Sequence, residues 1–328
     1  MAKIIERLQE KCRCNPRRVV LPETNDPRVL QAAAALKRRK LADPVLLADR
    51  SQIESPQWRG QIEESITVIS NDDRELQQQC AEQLYLNRKH KGLSLEGAKL
   101  AVSDPLLLAA LMVKIGRADA AVAGSDSPTA SVIRAGLYGI GTPPGGNLVS
   151  SFFLMEHDLC CWTFADCAVV PDPNADQLAR IAIDSARNHQ RLTGEAARVA
   201  MLSFSTLGSA SHALVDKVRQ AVNLVTSIAP EIAIDGELQF DAAMMPEIAT
   251  RKAPESTVAG QANVFIFPDL NAGNIGYKIA ERLAGMQAVG PVIQGLSRPF
   301  MDLSRGCQVE DIVNVAVIAS LMTDDRTP

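Results

Sequence analysis

Short apolar runs recur along the chain, each followed by a small-residue turn and then by a helical pattern. The runs are Arg18–Leu21, Val45–Ala48, Ala118–Ala123, Val199–Phe204, Ile232–Asp235, Val264–Phe267 and Val289–Ile293. Continuous apolarity of that length, enriched in β-branched residues, suits strands buried on both faces of a parallel sheet. The stretches between them are amphipathic. In Pro27–Lys40, Val29, Leu30, Ala33, Ala34 and Leu36 face inward, and Lys37-Arg38-Arg39-Lys40 suits a helix C-terminus. Ala175–Gln190, His212–Ala229 and Asn274–Leu283 read the same way. Alternating strands and helices predict βαβ units and an α/β fold of three α/β/α layers.

The middle departs from this alternation. Leu148–Met155 and Trp162–Val169 flank a turn at Glu156–Leu159, which predicts a hairpin, and Val170-Pro171-Asp172-Pro173-Asn174 is rigid and turn-prone. A domain boundary is therefore expected near residue 150. The last helix, Val309–Met322, has few partners of its own and is expected to pack back on the first domain.

Length and charge narrow the classes. A chain of 328 residues suits one large or two ordinary domains and can bury a core without staples. Its 34 basic and 38 acidic residues leave a net charge of −4, too small to argue for nucleic acid or an anionic membrane as partner. The longest apolar run, Leu106–Val113, is far short of the ~18 residues that span a bilayer. Charges at Lys3, Glu6 and Arg7 fall where a secretory signal would be apolar. Seven cysteines, an odd number without zinc-knuckle spacing, suit a reduced cytoplasm rather than a disulfide framework or metal site.

Four loops are candidates for chemistry, each with a plainer alternative. Gly124-Ser125-Asp126-Ser127-Pro128-Thr129-Ala130 links a strand to a helix that carries Arg134, so its amides and dipole could receive an anion. It lacks the spaced glycines of a nucleotide loop, and an ordinary helix cap fits it equally. Ser203–Ser211 holds five hydroxyls able to wrap a phosphate, or is a capped turn. Asn271-Ala272-Gly273-Asn274-Ile275-Gly276-Tyr277-Lys278 places two glycines where a helix would open, at a cost of about 1 kcal/mol each against alanine. Tight packing or a ligand should compensate. In Leu303-Ser304-Arg305-Gly306-Cys307, a helix starting near Gln308 would turn Asp311 back toward the loop, so that a hydroxyl, a guanidinium and a carboxylate converge. The alternative is a capping carboxylate beside a surface arginine. Cys307 has no histidine nearby in sequence and reads as a small buried hydrophobe. None of His90, His157, His189 and His212 has a metal-binding spacing. Arg88-Lys89-His90-Lys91 before Gly92 is either a solvated helix end or an anion clamp.

Several segments are more specific in order than any is alone. They are Leu21-Pro22-Glu23, Arg88-Lys89-His90-Lys91-Gly92, Ile133-Arg134-Ala135-Gly136-Leu137, Phe164-Ala165-Asp166-Cys167 and Met201-Leu202-Ser203-Phe204-Ser205. Asp235–Ala243, Phe267–Lys278 and Asp302–Cys307 complete the series. From about residue 17 to 322 the chain resembles the phosphate acetyl/butyryltransferase family, the phosphotransacetylases.

The resemblance implies the reaction acetyl-CoA + phosphate ⇌ CoA + acetyl phosphate, with coenzyme A as substrate and neither metal nor prosthetic group. It implies two α/β/α domains around a cleft, as in isocitrate and isopropylmalate dehydrogenases, with residues 1–150 and 296–328 in the first and 151–295 in the second. It also implies a cytoplasmic homodimer, a form that occurs in bacterial microcompartments too. By motif, Asp311, Ser304 and Arg305 fall on the family's catalytic residues, and Arg88 and Arg134 on two further cleft arginines. Ser127, Thr129, Ser205, Asn271, Gly273, Asn274 and Lys278 join the candidate contacts to CoA and phosphate. Asp126 stands where many members have paired threonines, and would repel phosphate, so it is expected to point away or to bind the acyl or amide end. Leu296-Ser297-Arg298 repeats the Leu-Ser-Arg tripeptide without an assignable role, and a regulatory N-terminal extension is not expected. Transfer of a longer acyl group, butyryl or propionyl, and a silent acyl-CoA-binding module are the rival readings.

Overall fold

In the computed structural model, which describes residues 3–146 and 148–323, each of the seven apolar runs contributes a strand. In chain order the strands are β1 (Arg18–Leu21), β2 (Asp43–Ala48), β3 (Thr67–Ser70), β4 (Ala120–Ala123), β5 (Ser150–His157) and β6 (Cys160–Ala165). They continue with β7 (Arg198–Leu202), β8 (Ala233–Leu238), β9 (Val264–Ile266), β10 (Gln287–Gln294) and β11 (Phe300–Asp302). The chain divides into two units, one of residues 5–146 and 296–323, the other of residues 3–4 and Leu148–Gly295.

The first unit is built on a parallel sheet of order β11-β4-β1-β2-β3. Val20, Val45, Leu47, Ala121 and Ala123 share one core with the helix Pro105–Lys114. Strand alternation sends Val19, Leu21, Leu46 and Val122 the other way, where the helices Pro27–Arg38 and Val309–Leu321 pack on each other and on the sheet. The eight-residue run Leu106–Val113 is the body of the helix Pro105–Lys114, and every one of its side chains is buried. Asp104 caps that helix by accepting the Leu106 N–H, and Pro105 supplies a fixed φ at the first position. Truncating one such buried leucine typically costs about 2–5 kcal/mol.

The second unit carries a mixed six-stranded sheet, β10-β5-β6-β9-β7-β8. Strands β5 and β6 form the antiparallel hairpin expected from sequence, but the turn is tighter, with His157 opposite Cys160 and Asp158 at positive φ. The helix Ala175–Thr193 packs on β6, β7 and β9. Strand β10 corrects the all-parallel expectation, because it runs antiparallel to β5. Continuous apolarity reports burial on both faces and carries no information on strand direction. Its register shifts between Val289 and Val292, where Pro291 has no N–H for the ladder.

Two strands have no counterpart in the hydrophobic pattern. Strand β3 is a partly exposed edge strand, and β11 spans three residues. Ala34 is only half-buried, and Ala32 takes the inward position instead.

Candidate functional site

Parallel strands deliver their following loops to one edge of a sheet, and ligands of open α/β sheets bind where the strand order reverses. In the first unit that reversal lies between β1 and β4, with β11 beyond β4. Three loops meet there: Pro22–Asp26 after β1, Gly124–Pro128 after β4, and Leu303–Gln308 after β11.

Glu23 ties the first two together. Its Oε2 accepts the N–H groups of Gly124 and Ser125, both at 2.7 Å, and the Ser125 hydroxyl at 2.9 Å. Its Oε1 accepts the Ser127 N–H at 2.9 Å. Three of the loop's amides are therefore engaged by an internal carboxylate. The backbone of Ser127 is used in this way, so only its half-buried side chain remains as a candidate contact. Gly124 has φ +104°, and a β-carbon there would collide with the Asp302 carboxylate and the Leu303 backbone. That close approach requires glycine.

Thr129, the first residue of the helix Thr129–Gly139, donates its hydroxyl to Asp302 Oδ2 at 2.7 Å. Asp302 is 1% exposed, and its Oδ1 has no hydrogen-bond partner among the described residues. Burial, with the nearby Glu23 charge adding to it, raises the Asp302 carboxyl to about 6 against the Thr129 bond. Thr129 thus braces the end of β11, a task the motif did not reveal. Asp126 is exposed.

Arg28, absent from the sequence-derived candidates, links all three loops. Asp26, which caps the helix Pro27–Arg38, holds the guanidinium through three bonds of 2.7–3.0 Å. The same group donates to the carbonyls of Ser125, Arg305 and Cys307 at 3.0, 3.0 and 2.6 Å.

Ser304, Arg305 and Gly306 are exposed and form a turn in which Cys307 N–H donates to the Ser304 carbonyl. Among the described residues the Arg305 side chain has no hydrogen-bond or ionic partner, which leaves all its donors for a ligand. Asp311 lies in the first turn of the helix Val309–Leu321, as the sequence suggested. Its carboxylate is exposed and accepts the Gln308 N–H at 2.7 Å in a capping box. The capping role is thus present, and no hydrogen bond joins the side chains of Ser304, Arg305 and Asp311. Cys307 is 4% exposed, and burial pushes its thiol up despite the opposing charge of Arg28. A buried thiol held in its protonated form is a poor nucleophile.

Arg88 ends the helix Arg74–Arg88. It donates to the Leu137 carbonyl at 2.8 Å and lies 4.0 Å from the centre of the Tyr138 ring. Arg134 precedes Tyr138 by one helical turn, is exposed, and has no partner among the described residues. The fold therefore gathers Arg88 and Arg134 about one helix, with Arg134 free to meet an anion.

The candidates of the second unit divide differently. Ser205 is fully buried; its hydroxyl donates to Glu237 at 2.7 Å and accepts the Ala210 N–H. Burial raises the Glu237 carboxyl, but bonds from Arg219, Gly208 and Ser205 outweigh it and hold the group at about 2. Ser205 thus braces the ion pair between buried Glu237 and the more exposed Arg219, so its hydroxyl is engaged within the protein. Gly273 and Asn274 also have partners within the protein. The helix begins at Leu270, capped by Asp269, not at Asn274. A β-carbon on Gly273 would strike the Asp166 carbonyl, and Asn274 donates to the Cys167 carbonyl at 3.0 Å. One on Gly276 would meet the Phe267 ring at 3.0 Å. Packing, not a ligand, accounts for these glycines. Asn271 and Lys278 are exposed, with Lys278 two turns into the helix rather than at its start.

Comparison with known proteins decides the family. Residues 3–320 match the model of the phosphate acetyl/butaryl transferase family. The chain belongs to that family. It is 47% identical over 318 residues to a phosphate acetyltransferase of Thermoanaerobacterium thermosaccharolyticum, covering 95% of this chain and 97% of that protein. The EutD phosphotransacetylase of Staphylococcus aureus superposes with a TM-score of 0.90 at 39% identity, and a Streptococcus pyogenes phosphotransacetylase with 0.89 at 41%. Each structure pairs 97% of this chain with 97% of its own.

Within this phosphate acetyl/butaryl transferase, Glu23 and Arg28 are the functional-edge residues that pattern reading missed. Asp26 before Pro27 was readable as a helix cap. What the cap holds was not, since Arg28 meets partners 97 to 279 positions away.

Proposed function

We propose that the chain catalyses acetyl-CoA + phosphate ⇌ CoA + acetyl phosphate by direct transfer within a ternary complex. The observation that carries this reading is the 47% identity to a phosphate acetyltransferase over nearly the whole chain. It is joined by a Ser304-Arg305 turn open to solvent at the reversal edge of the first sheet. In the thiolysis direction Asp311 takes the proton of the CoA thiol, and the sulfur attacks the carbonyl carbon of acetyl phosphate. The new C–S bond replaces the C–O bond to phosphorus, and phosphate departs with the bonding electrons. Arg305 meets the phosphate and its developing charge, and Ser304 donates to the carbonyl oxygen as it becomes an oxyanion. Arg134, with Arg88 beside it, receives phosphates of CoA. The substrates supply every reacting atom, so the scheme includes no metal or prosthetic group. Free CoA, acetyl-CoA, acetyl phosphate and phosphate are the partners. A cytoplasmic homodimer completes the proposal.

The test is release or consumption of CoA thiol with acetyl, propionyl and butyryl phosphate. The highest kcat/KM is expected for acetyl phosphate, with a loss on the order of 10-fold or more for each methylene a tight pocket cannot admit. A preference for butyryl phosphate would favour the longer-chain reading. Absence of thiol consumption with all three would leave a binding module.

A further inference from the structure

We propose that Arg28 is a positioning residue for acetyl transfer: by holding the carbonyls on either side of Gly306, it sets the direction in which Ser304 and Arg305 present their side chains. The inference rests on the reading of Arg305 as the group that meets phosphate.

Hydrogen-bond accounting carries it. A guanidinium has five N–H donors in a rigid fork. In Arg28, Nε points at both oxygens of Asp26, each at 3.0 Å. Nη2 donates to Asp26 Oδ2 at 2.7 Å and to the Ser125 carbonyl at 3.0 Å. Nη1 donates to the carbonyls of Arg305 and Cys307 at 3.0 and 2.6 Å. All five hydrogens have acceptors within the protein, so Arg28 has none to offer a ligand. It is a frame, not a substrate contact.

The turn it holds has little other support. Leu303 and Cys307 are buried at its two ends, but the three residues between them are exposed, and a β-carbon on Gly306 would meet nothing closer than 3.8 Å. Packing does not fix their backbone. Besides Arg28, the restraints on it among the described residues are Cys307 N–H to the Ser304 carbonyl and two long contacts, Gly306 N–H to Ser304 Oγ at 3.3 Å and Gln308 Nε2 to the Gly306 carbonyl at 3.5 Å. Buried Asp26 fixes the other side of the fork. A lysine cannot replace this arrangement, because its three donors leave one tetrahedral nitrogen and cannot span Asp26 and three separate carbonyls.

The experiment compares Arg28→Ala, Arg28→Lys, Asp26→Asn, Arg305→Ala and the double variant Arg28→Ala/Arg305→Ala. Initial rates with acetyl phosphate and CoA give kcat and the KM for CoA. Arg28→Ala is expected to lower kcat about 10²-fold, the scale of a misplaced reacting group. KM for CoA stays within about threefold, because no substrate contact is lost. Arg28→Lys is not expected to recover the rate, whereas added methylguanidinium restores it several-fold in Arg28→Ala. Asp26→Asn, which keeps the fold's shape and weakens only the guanidinium's anchor, falls about 10-fold and covers the case in which Arg28→Ala does not fold.

The double variant gives the decisive readout. If Arg28 acts through the Ser304–Arg305 turn, adding Arg28→Ala to Arg305→Ala lowers kcat by no more than about threefold further, because groups acting as a unit are not additive. A general structural lesion would multiply the two losses, and that result overturns the proposal. Wild-type kcat in folded Arg28→Ala, or in Asp26→Asn, overturns it as well. Near-normal kcat in Arg305→Ala would instead defeat the underlying assignment of Arg305, so the two failures are distinct.

Discussion

Arg305→Ala lowers the rate of acetyl transfer by on the order of 10³–10⁵-fold, by analogy with the contribution of an arginine that stabilises phosphate charge in phosphoryl transfer, here charge on the departing phosphate. The side chain is exposed and bonded to nothing among the described residues, so folding loses no contact and the melting temperature stays within a few degrees. That separation is what makes the result interpretable. Arsenolysis of acetyl-CoA, in which arsenate takes the place of phosphate, offers an independent measure. The same loss is expected there. Near-normal arsenolysis by the folded variant would remove Arg305 from the reaction.

Asp311→Asn is the second large effect, because it separates two roles that the structure superimposes. As a cap, Asp311 accepts the Gln308 N–H, and an asparagine oxygen accepts the same bond. As a base it must take a proton from the CoA thiol, which an amide cannot do. The variant is therefore expected to keep its stability to within about 1 kcal/mol of a conserved cap. Its kcat falls by about 10²–10⁴-fold, the contribution typical of a positioned general base. Unchanged kcat with intact stability would reduce Asp311 to a capping residue. Asp311→Ala, by contrast, loses both functions and would not distinguish them.

The sequence carried the layered architecture because both signals it rests on are local. Runs such as Val45–Ala48 and the inward stripe of Pro27–Lys40 report burial within a few residues of themselves. Strand direction is not local, which is why β10 was read as parallel and is antiparallel. Length sets another limit, since a three-residue strand such as β11 leaves no period to detect. It is nevertheless β11 that delivers Ser304 and Arg305 to the reversal edge of the sheet.

The candidate site was legible to the same degree. The loops after β4 and β11 stand out by their polar residues at strand ends, and Arg134 follows as the exposed cation of the next helix. Glu23 and Arg28 do not stand out, because their meaning lies in bonds across 97 to 279 positions. Gly273 shows a choice that sequence leaves open. A glycine in a helix suggests tight packing or a ligand, and the Asp166 carbonyl occupies the space a side chain would need. Backbone approach and ligand approach ask for the same residue, and only the partner tells them apart.

The central claim is that the reactive sulfur arrives with the substrate and no acetyl-enzyme forms. Buried Cys307, its thiol pushed up by burial, is consistent with that claim. The most direct measurement is exchange of isotopically labelled phosphate into acetyl phosphate by CoA-free enzyme. Direct transfer predicts no label in acetyl phosphate until CoA is added, and rapid incorporation afterwards. Incorporation without CoA would mean that a side chain of the protein carries the acetyl group, and would contradict the ternary-complex mechanism.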